Sequence, residues 1–555
     1  MYTFITNDRN YEDWHLLNTN NEHVKINIDP LQLKVFNNDI INLQHKIVKS
    51  PTRITNLIPG ILQINNQTYG RYKKKLLYKC YPNDPSLPIF LIPYQDKKPT
   101  FEKGNNNRFI LFRYEEWNDK HPIGKITQNF GSVDNFEAYC KYQLFRYNIN
   151  VDKSIQFSKS LIHKMECVPI QNIAIEISRK FGMDNRMHYS NIFSIDPAGC
   201  TDIDDAIGVR TTPKGHMVSI YIANVPAWIE FLEQWDNIPN KTSTIYLPHE
   251  KLLMLPIILT EKMCSLTKNE YKPSFVLDLY IERNQIVRTE FKSAIIRVKH
   301  NYVYEEKELL QNVDYVDLLL ITRNLSKKIP IINEINDSHD VVSFYMILMN
   351  SIAAKQLKDM KTGIFRNKRI KRMKDNNLST EEKQFIESWT GESAGYSLYH
   401  NMTTHDLIMN GIDCYTHITS PIRRIVDLIN MTIIQQFLNL IEFGTSANIY
   451  IKQRMKNINN INENMKNISK IQADCSLLYY IQTNEFNKHE PLSGVIIEKE
   501  VINSQWEYTI FIQKIKFVTK ITTDQDLNKY GVYNFTIHTF VDENNLRKKI
   551  RLHLI

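Results

Sequence analysis

The sequence predicts an α+β protein in which a large mixed domain lies between two small β-barrels. Three observations predict this architecture. Short strand-like segments separated by Asn, Pro and Gly turns fill residues 56–155, helix and strand patterns mix over residues 160–486, and short strands return over residues 489–555. A chain of 555 residues is long enough for about three or four domains.

The first barrel is predicted from the alternating segments PGILQI, KKLLYKCY, PIFLIPY and RFILFRYEEW. Within it, GRYKKKLLY (residues 70–78) sets three lysines beside tyrosines, a mixture that suits a groove for single-stranded nucleic acid. A solvated sheet edge explains the same lysines. Before this barrel, residues 1–55 are uninformative apart from a strand-like piece at residues 31–43.

The central domain contains two clear helix patterns. SFYMILMNSIAAKQL (residues 343–357) has apolar residues at helical spacing. A second helix is predicted to run from Pro421 to Phe443, with Thr419 or Ser420 as its N-cap. The second barrel follows from the segments SGVIIEKEV, EYTIFIQ, IKFVTKI, YNFTIHTF and KKIRLHLI.

Composition narrows the class of partner. A net charge of +9 beside 29 tyrosines and 25 phenylalanines favours nucleic acid, although a slightly basic enzyme of another kind has the same balance. The sequence has no apolar run of membrane-spanning length and no secretory leader at its start, which predicts an intracellular protein, cytoplasmic or nuclear, with no membrane partner. Seven scattered cysteines predict reduced thiols rather than disulfides or a zinc site.

The segment FSIDPAGCTDIDDAIG (residues 193–208) crowds four aspartates, Asp196, Asp202, Asp204 and Asp205, into apolar surroundings. Like charges this close require an arginine or lysine, shared protons or metal ions among them. Carboxylates suit magnesium or manganese, and two such ions can clamp a phosphodiester displacement. A surface acidic turn remains open, whereas a calcium loop lacks its regular ligands and final glutamate.

A second segment, CYTHITSPIRRIVDLINM (residues 414–431), places Arg423 and Arg424 at the predicted start of a helix. Two arginines beside free helix amides predict a phosphate site. The alternative for Arg424 is an ion pair with Asp427, three residues further along the helix.

Together, SIDPAGCTDIDDAI and YTHITSPIRRIVDL resemble the two signatures of the RNase II and RNase R (RNB) family of processive 3′-to-5′ exoribonucleases, most closely its exosome-type members. Further matches are TSTIYLPHEKLLMLP (242–256), MCSL (263–266), IIRVKHNYVYEE (295–306) and the segment 122–145. The resemblance implies a cold-shock-like OB barrel over 56–155, an RNB catalytic domain over 160–486 and a ribosomal-protein-type OB barrel over 489–555. Residues 1–55 would be a partial cold-shock-like barrel or irregular.

The resemblance also implies roles for single residues. The four aspartates would hold two Mg²⁺ ions, or Mn²⁺, with Asp204 the most important for chemistry, and Arg423 would neutralise the scissile phosphate. Tyr304 would stack on or orient the 3′-terminal nucleotide. Tyr246 would grip the strand further up the channel. Arg424 and His417 would contact the substrate.

The chain departs from the family at two places. Ser343-Phe344 stand where the family usually has a Glu-Glu pair, and YIANV (residues 221–225) carries Tyr221 and Asn224 in place of His and Asp. The resemblance predicts a monomer that degrades single-stranded RNA without a small-molecule cofactor, and no tether to an exosome ring. A catalytically weakened RNA-binding regulatory protein of the same fold is the alternative, and the missing Glu pair favours it slightly.

Overall fold

The computed structural model describes the chain in two compact units. The first unit comprises Met1–Ile149, Leu247–His249 and Lys470–Ile555, and the second comprises Asn150–Tyr246 and Glu250–Ser469. The structure describes all residues except 56, 65–66, 96–106, 150–162, 164–168, 330, 333, 369–385, 387–393, 404–413, 484–490, 503–504, 513, 515–516 and 543–546.

The first unit begins with a five-stranded antiparallel sheet of order β3-β2-β1-β4-β5. Its strands are β1 (Tyr2–Thr6), β2 (Trp14–Leu17), β3 (His23–Val24), β4 (Ile40–Ile41) and β5 (Ile47–Lys49). The strand predicted over residues 31–43 is wrong at its start, where helix α1 (Pro30–Leu33) forms. Pro30 is preorganised for the first helical position, and the Asp29 side chain accepts hydrogen bonds from two amides of α1.

A second sheet of the first unit closes into a barrel, because β6 pairs with both β10 and β8 in the order β6-β10-β11-β9-β8-β7. Helix α2 (Pro51–Ile54) precedes it and α3 (Phe136–Arg146) follows it. The strands are β6 (Ile58–Leu62), β7 (Arg71–Tyr72), β8 (Lys75–Pro82), β9 (Phe90–Tyr94), β10 (Arg108–Glu116) and β11 (Ile123–Ser132). The barrel predicted over this part of the chain is therefore present.

The five strands predicted near the C-terminus are all present, in a third antiparallel sheet of the first unit. Their order is β25-β24-β23-β26-β27, and Leu492, Ile510 and Phe535 lie in its apolar core. The strands are β23 (Leu492–Ile502), β24 (Gln505–Ile512), β25 (Phe517–Thr523), β26 (Val532–Asp542) and β27 (Arg547–Leu554).

The second unit is built on a seven-stranded mixed sheet of order β12-β19-β18-β15-β14-β13-β20, with apolar cores on both faces. The strands are β12 (Asp184–Arg186), β13 (Ile192–Asp196), β14 (Asp205–Thr212), β15 (Gly215–Ala223), β18 (Tyr271–Glu282), β19 (Gln285–Arg297) and β20 (His300–Val303). Two further two-stranded antiparallel sheets are the short hairpin of β16 (Ile245–Tyr246) with β17 (Lys251–Leu252) and the pair of β21 (Ile364–Asn367) with β22 (Gly395–Leu398). The mixed sheet with covering helices confirms the α+β class.

The helix predicted over residues 343–357 is confirmed as part of the longer α8, whereas the helix predicted from Pro421 to Phe443 is shorter at both ends and covers only residues 425–437. The helices are α4 (Ile170–Lys180), α5 (Val225–Phe231), α6 (Lys307–Leu310), α7 (Val313–Ser326), α8 (Ser338–Asp359), α9 (Ile425–Phe437), α10 (Thr445–Lys456) and α11 (Ile458–Thr483), with a π-helix at Ile258–Cys264. Within the described residues no helix is long and apolar enough to cross a membrane.

The later start of α9 corrects the prediction that both arginines lie in its first turn. Arg424 has extended backbone and forms an isolated β-bridge with Ser243. The Arg423 carbonyl accepts a hydrogen bond from the Thr244 amide at 2.9 Å. Residues 421–423 form a turn in which the Arg423 amide donates to the Ser420 carbonyl at 3.2 Å, and the bridge holds Arg424 extended, so the helix begins only at Ile425 and Pro421 is not its first residue.

Candidate active site

The four aspartates lie at the adjoining ends of two paired strands in the second unit. Asp196 ends β13 and Asp205 begins β14, while Asp202 and Asp204 belong to the connecting loop. The loop reverses direction in a turn at Gly199, whose φ is +76°. Glycine suits this position because that backbone conformation is costly for residues with a side chain. Folding thus brings the acidic segment into one turn at the end of the sheet.

The π-helix anchors the middle of the acidic loop. The Ile203 amide donates to Ser265 Oγ at 3.0 Å, and the Ile203 carbonyl accepts from the Leu266 amide at 3.0 Å. At the loop's outer side, Thr201 Oγ1 donates to Glu261 of the π-helix at 2.8 Å. Bonds on both sides of Ile203 fix the direction of the neighbouring aspartates.

Asp204 is 3% exposed and is held by the segment that precedes α9. Its carboxylate accepts one hydrogen bond from the Ile422 amide and one from Arg423 Nε, both at 3.0 Å. Burial raises the pKa of Asp204 to about 7, and Arg423 and the Ile422 amide act against that rise. The Arg423 side chain is itself 44% exposed, so part of it can reach a ligand while it contacts Asp204.

Asp202 also has a cation of the protein beside it. Lys251 Nζ lies 2.5 Å from Asp202 Oδ1, and the Tyr246 hydroxyl donates to Asp202 Oδ2 at 3.3 Å. Both partners come from the β16–β17 hairpin. Tyr246, expected further along a substrate channel, therefore lies at the acidic loop and is 43% exposed.

Asp196 and Asp205 lie at the strand ends of the acidic segment, and the ion pairs with Lys251 and Arg423 are made by Asp202 and Asp204 instead. Burial raises the pKa of Asp196 to about 6, and burial together with Asp196 raises the pKa of Asp205. Asp196 Oδ2 is buried and has no hydrogen-bond partner in the structure. A buried, unsatisfied carboxylate oxygen beside a second carboxylate is a position that a cation would stabilise.

The metal prediction receives only part of its geometry from the structure. In the described part of the chain no three His, Cys, Asp or Glu side chains lie together closely enough to hold a metal ion as they stand. Asp202 and Asp204 are directed to Lys251 and Arg423. The pair Asp196 and Asp205 fits a hard divalent cation by its oxygen donors and by the unpartnered Oδ2.

Arg424 and His417, both predicted to contact the substrate, form hydrogen bonds with other side chains of the protein. Arg424 forms the ion pair with Asp427 that was the alternative for it, at 2.8 Å, and Asp427 also accepts a hydrogen bond from the Ser420 amide. His417 Nδ1 is 2.7 Å from the Tyr396 hydroxyl. Neither side chain contacts an aspartate of the acidic loop through these bonds.

Tyr304 lies directly beside the acidic loop. Its amide donates to the Asp196 carbonyl at 3.3 Å, and burial followed by the charges of Asp205 and Asp196 raises the pKa of its hydroxyl. The ring stacks on His339 of α8, a residue that the sequence analysis did not single out.

Three of the four residues that depart from the family pattern, Phe344, Tyr221 and Asn224, are buried. Phe344 is fully buried in the core, whereas Ser343 is exposed on α8. Tyr221 is 1% exposed and packs beside Arg186, and Asn224 caps α5 while its side chain is hydrogen-bonded to Gln435. Tyr221 is thus accommodated by packing against Arg186, and Asn224 by hydrogen bonds within the protein.

Sequence reasoning missed Lys251, the Ile422 amide and Ser265 as parts of the site. Lys251 lies within the segment 242–256 that resembles the family, and a lysine in that segment was a candidate cation for the aspartates. Backbone amides carry no signal in a sequence, so the Ile422 contact could not be found that way.

Residues 185–329 match the RNB domain. Exosome complex exonuclease RRP44 of Mus musculus is 25% identical over 280 residues, which cover 48% of this chain and 28% of that protein. Ribonuclease R of Aquifex aeolicus is 29% identical over 295 residues, which cover 51% of this chain and 39% of that protein. The chain thus matches well under half the length of these curated relatives, and the predicted resemblance to RNB-family exoribonucleases is confirmed.

Solved structures share the fold. The apo form of Mycoplasma genitalium RNase R has a TM-score of 0.69 at 18% identity and full coverage of both chains. The same enzyme in complex with ribose-methylated single-stranded RNA has a TM-score of 0.66 at 17% identity, again with full coverage. Yeast Ssd1, described as a pseudonuclease, has a TM-score of 0.60 at 14% identity and covers 90% of this chain and 70% of its own.

Proposed function

We propose that the protein is a 3′-to-5′ exoribonuclease that hydrolyses single-stranded RNA processively to 5′-nucleoside monophosphates, and the match of residues 185–329 to the RNB domain supports this proposal. The observation that carries this proposal is the position of Arg423. Its guanidinium contacts Asp204 at 3.0 Å and is still 44% exposed, so it can neutralise a phosphate brought to the acidic loop.

Asp196 and Asp205 would hold Mg²⁺, or Mn²⁺, in the proposed enzyme. A divalent ion there supplies a water of lowered pKa and stabilises charge on the phosphodiester oxygens. The chain's own groups do the rest of the positioning. Arg423 binds the phosphate, and the Ile422 amide and Arg423 fix the Asp204 carboxylate. The expectation of a second ion concerns Asp202 and Asp204, which Lys251 and Arg423 contact in the structure.

RNA as the substrate is supported by the likeness to an RNase R structure that contains single-stranded RNA. Lysines and tyrosines of the first barrel supply charge and stacking surfaces for such a strand: Lys79 lies 4.6 Å from the Tyr69 ring and Lys73 4.6 Å from the Tyr72 ring. We propose further that the protein acts as a monomer, which light scattering of the purified protein tests, and that it needs no small-molecule cofactor, which shortening of RNA by the purified protein with Mg²⁺ alone tests.

A second candidate function is an RNA-binding regulatory protein with weakened catalysis. The ion pair of Lys251 with Asp202 and the likeness to the fold of a pseudonuclease favour it. The presence of all four aspartates together with Arg423 disfavours it, because a binding protein gains nothing from crowded carboxylates that repel RNA when no metal ion is bound.

Incubation of a 5′-labelled single-stranded RNA with the protein and Mg²⁺ separates the two functions. The exoribonuclease yields a ladder that shortens from the 3′ end, and the regulatory protein binds the RNA without shortening it. Asp204→Asn should abolish the ladder and retain binding, whereas Asp359→Asn, an exposed aspartate at the end of α8, should leave the ladder unchanged. Wild-type shortening by Asp204→Asn would contradict the proposed role of the acidic loop.

A further inference from the structure

Two aromatic rings stack face to face at the edge of the acidic loop. The ring centroids of Tyr304 and His339 are 3.6 Å apart and the ring planes differ by 7°. At this separation the rings are in van der Waals contact over their whole faces, which leaves no room for a base between them. Any base must therefore stack on an outer face of this two-ring platform.

The platform is adjacent to the proposed reaction site. The Tyr304 amide donates to the carbonyl of Asp196, and the Tyr304 ring is half-buried. His339, by contrast, is exposed. The two rings consequently lead from the acidic loop towards solvent, with His339 as the accessible ring.

Hydrogen bonds fix the two rings relative to each other. Glu305 Oε1 accepts from the Ser338 amide at 2.7 Å and from Ser338 Oγ at 2.6 Å, and Ser338 Oγ accepts from the Glu305 amide at 3.2 Å. Glu305 is held at φ of +57°, a conformation that a non-glycine residue keeps only where its surroundings enforce it. Because Glu305 follows Tyr304 and Ser338 precedes His339, these bonds join the two segments that carry the rings.

His339 lies on the face of α8 where the family's glutamates are missing. Ser343 is one helical turn further along the same face and is exposed, while Phe344 is buried in the core. This face therefore offers an aromatic ring one helical turn before Ser343, the position at which the family usually has a glutamate. Stacking accepts every base, because every base has a π-face.

We propose that the base of the 3′-terminal nucleotide stacks on the exposed face of His339, with Tyr304 behind it. This inference rests on the proposed function and names the residue that positions the strand end without regard to base identity. It also explains how an RNA end can be held without the glutamate pair.

The test uses Asp204→Asn protein with Mg²⁺ and a ten-nucleotide single-stranded RNA that carries 2-aminopurine at its 3′ end. Stacking on His339 should quench the fluorescence when the RNA binds, and the same fluorophore at the 5′ end should be quenched less. Adding His339→Ala should abolish the 3′ quench and weaken binding about 10-fold, the order of one base–aromatic stack. Adding His339→Phe should retain both.

The matched control is His188→Ala. His188 is also exposed and touches a tyrosine, Tyr189, with ring centroids 4.8 Å apart, but it follows β12, the edge strand opposite β20 in the sheet. A 3′ quench that survives His339→Ala, or one that is lost equally in His339→Phe, overturns the proposal. If the quench depends on His339 and wild-type protein produces no ladder, the stacking site stands and the exoribonuclease proposal fails. If wild-type protein produces a ladder and the quench does not depend on His339, the exoribonuclease proposal stands and the stacking site fails.

Discussion

Replacing Asp196 by asparagine should stabilise the metal-free protein at alkaline pH. Burial raises the pKa of Asp196 from the ordinary 3.8 of an aspartate to about 6. This rise corresponds to about 3 kcal/mol of unfavourable free energy when the carboxylate is ionised in the folded state. Asparagine keeps the shape and removes the charge, although it weakens the hydrogen bond with Ser194.

The sign of the pH dependence follows from the direction of this shift. Below about pH 3 the carboxyl is protonated in most folded and most unfolded molecules, so the charge costs almost nothing. As pH rises from about 3 to about 7 the unfolded state loses the proton first, and the full cost is present above about pH 7. Asp196→Asn should therefore gain roughly 1 to 3 kcal/mol of unfolding free energy at pH 8 and only roughly 0.5 kcal/mol at pH 4.

Urea unfolding in EDTA, followed by tryptophan fluorescence at pH 4 and pH 8, measures this difference. Added Mg²⁺ should reverse the order at pH 8, because ion binding stabilises the wild-type protein more than the variant. Asp278→Asn is the matched control: that buried aspartate pairs with Arg186 at 2.6 Å, so its loss should cost about 3 to 5 kcal/mol at pH 8. If Asp196→Asn in EDTA is less stable than wild type at pH 8, a cation of the protein already neutralises Asp196 and the reasoning is refuted.

Two further substitutions test the cations of the site. Arg423→Gln should lower the single-turnover rate of RNA shortening about 10²- to 10³-fold, because it removes a preorganised donor to the phosphate, and a wild-type rate would contradict that role. Lys251→Met should lower the Mg²⁺ concentration needed for half-maximal shortening of the RNA, since Asp202 loses the lysine that pairs with it. Isothermal titration should show tighter Mg²⁺ binding by this variant. An unchanged or weaker Mg²⁺ affinity would show that Lys251 does not compete with the ion.

The sequence predicted those elements and contacts that depend on residues close together in the chain. The five C-terminal strands follow from alternation, the core of α8 follows from helical spacing, and the Arg424–Asp427 pair follows from a separation of three residues. The start of α9 was predicted four residues too early, because Pro421 and Ser420 look like a helix cap. Pairing with residues 243–244, far away in the sequence, overrides that preference.

The acidic loop shows the same limit within one site. Four aspartates in ten positions indicate that cations must be near them, but the sequence cannot assign a cation to each. Lys251 reaches Asp202 across 49 positions and Arg423 reaches Asp204 across 219. Such pairs are decided by the tertiary fold. The sequence therefore predicted that cations lie near the loop, but not that Asp202 and Asp204 form ion pairs while Asp196 and Asp205 do not.

The contact between Asp204 and the segment at Ile422 and Arg423 has a consequence during synthesis. A ribosome makes the four aspartates more than two hundred residues before it makes the guanidinium that completes their site. A nascent chain that ends before Ile422 therefore contains every acid of the loop but neither the amide nor the guanidinium that contacts Asp204. Under the proposed function, the messenger RNA that encodes this protein meets no completed site on the growing chain until the segment before α9 has emerged.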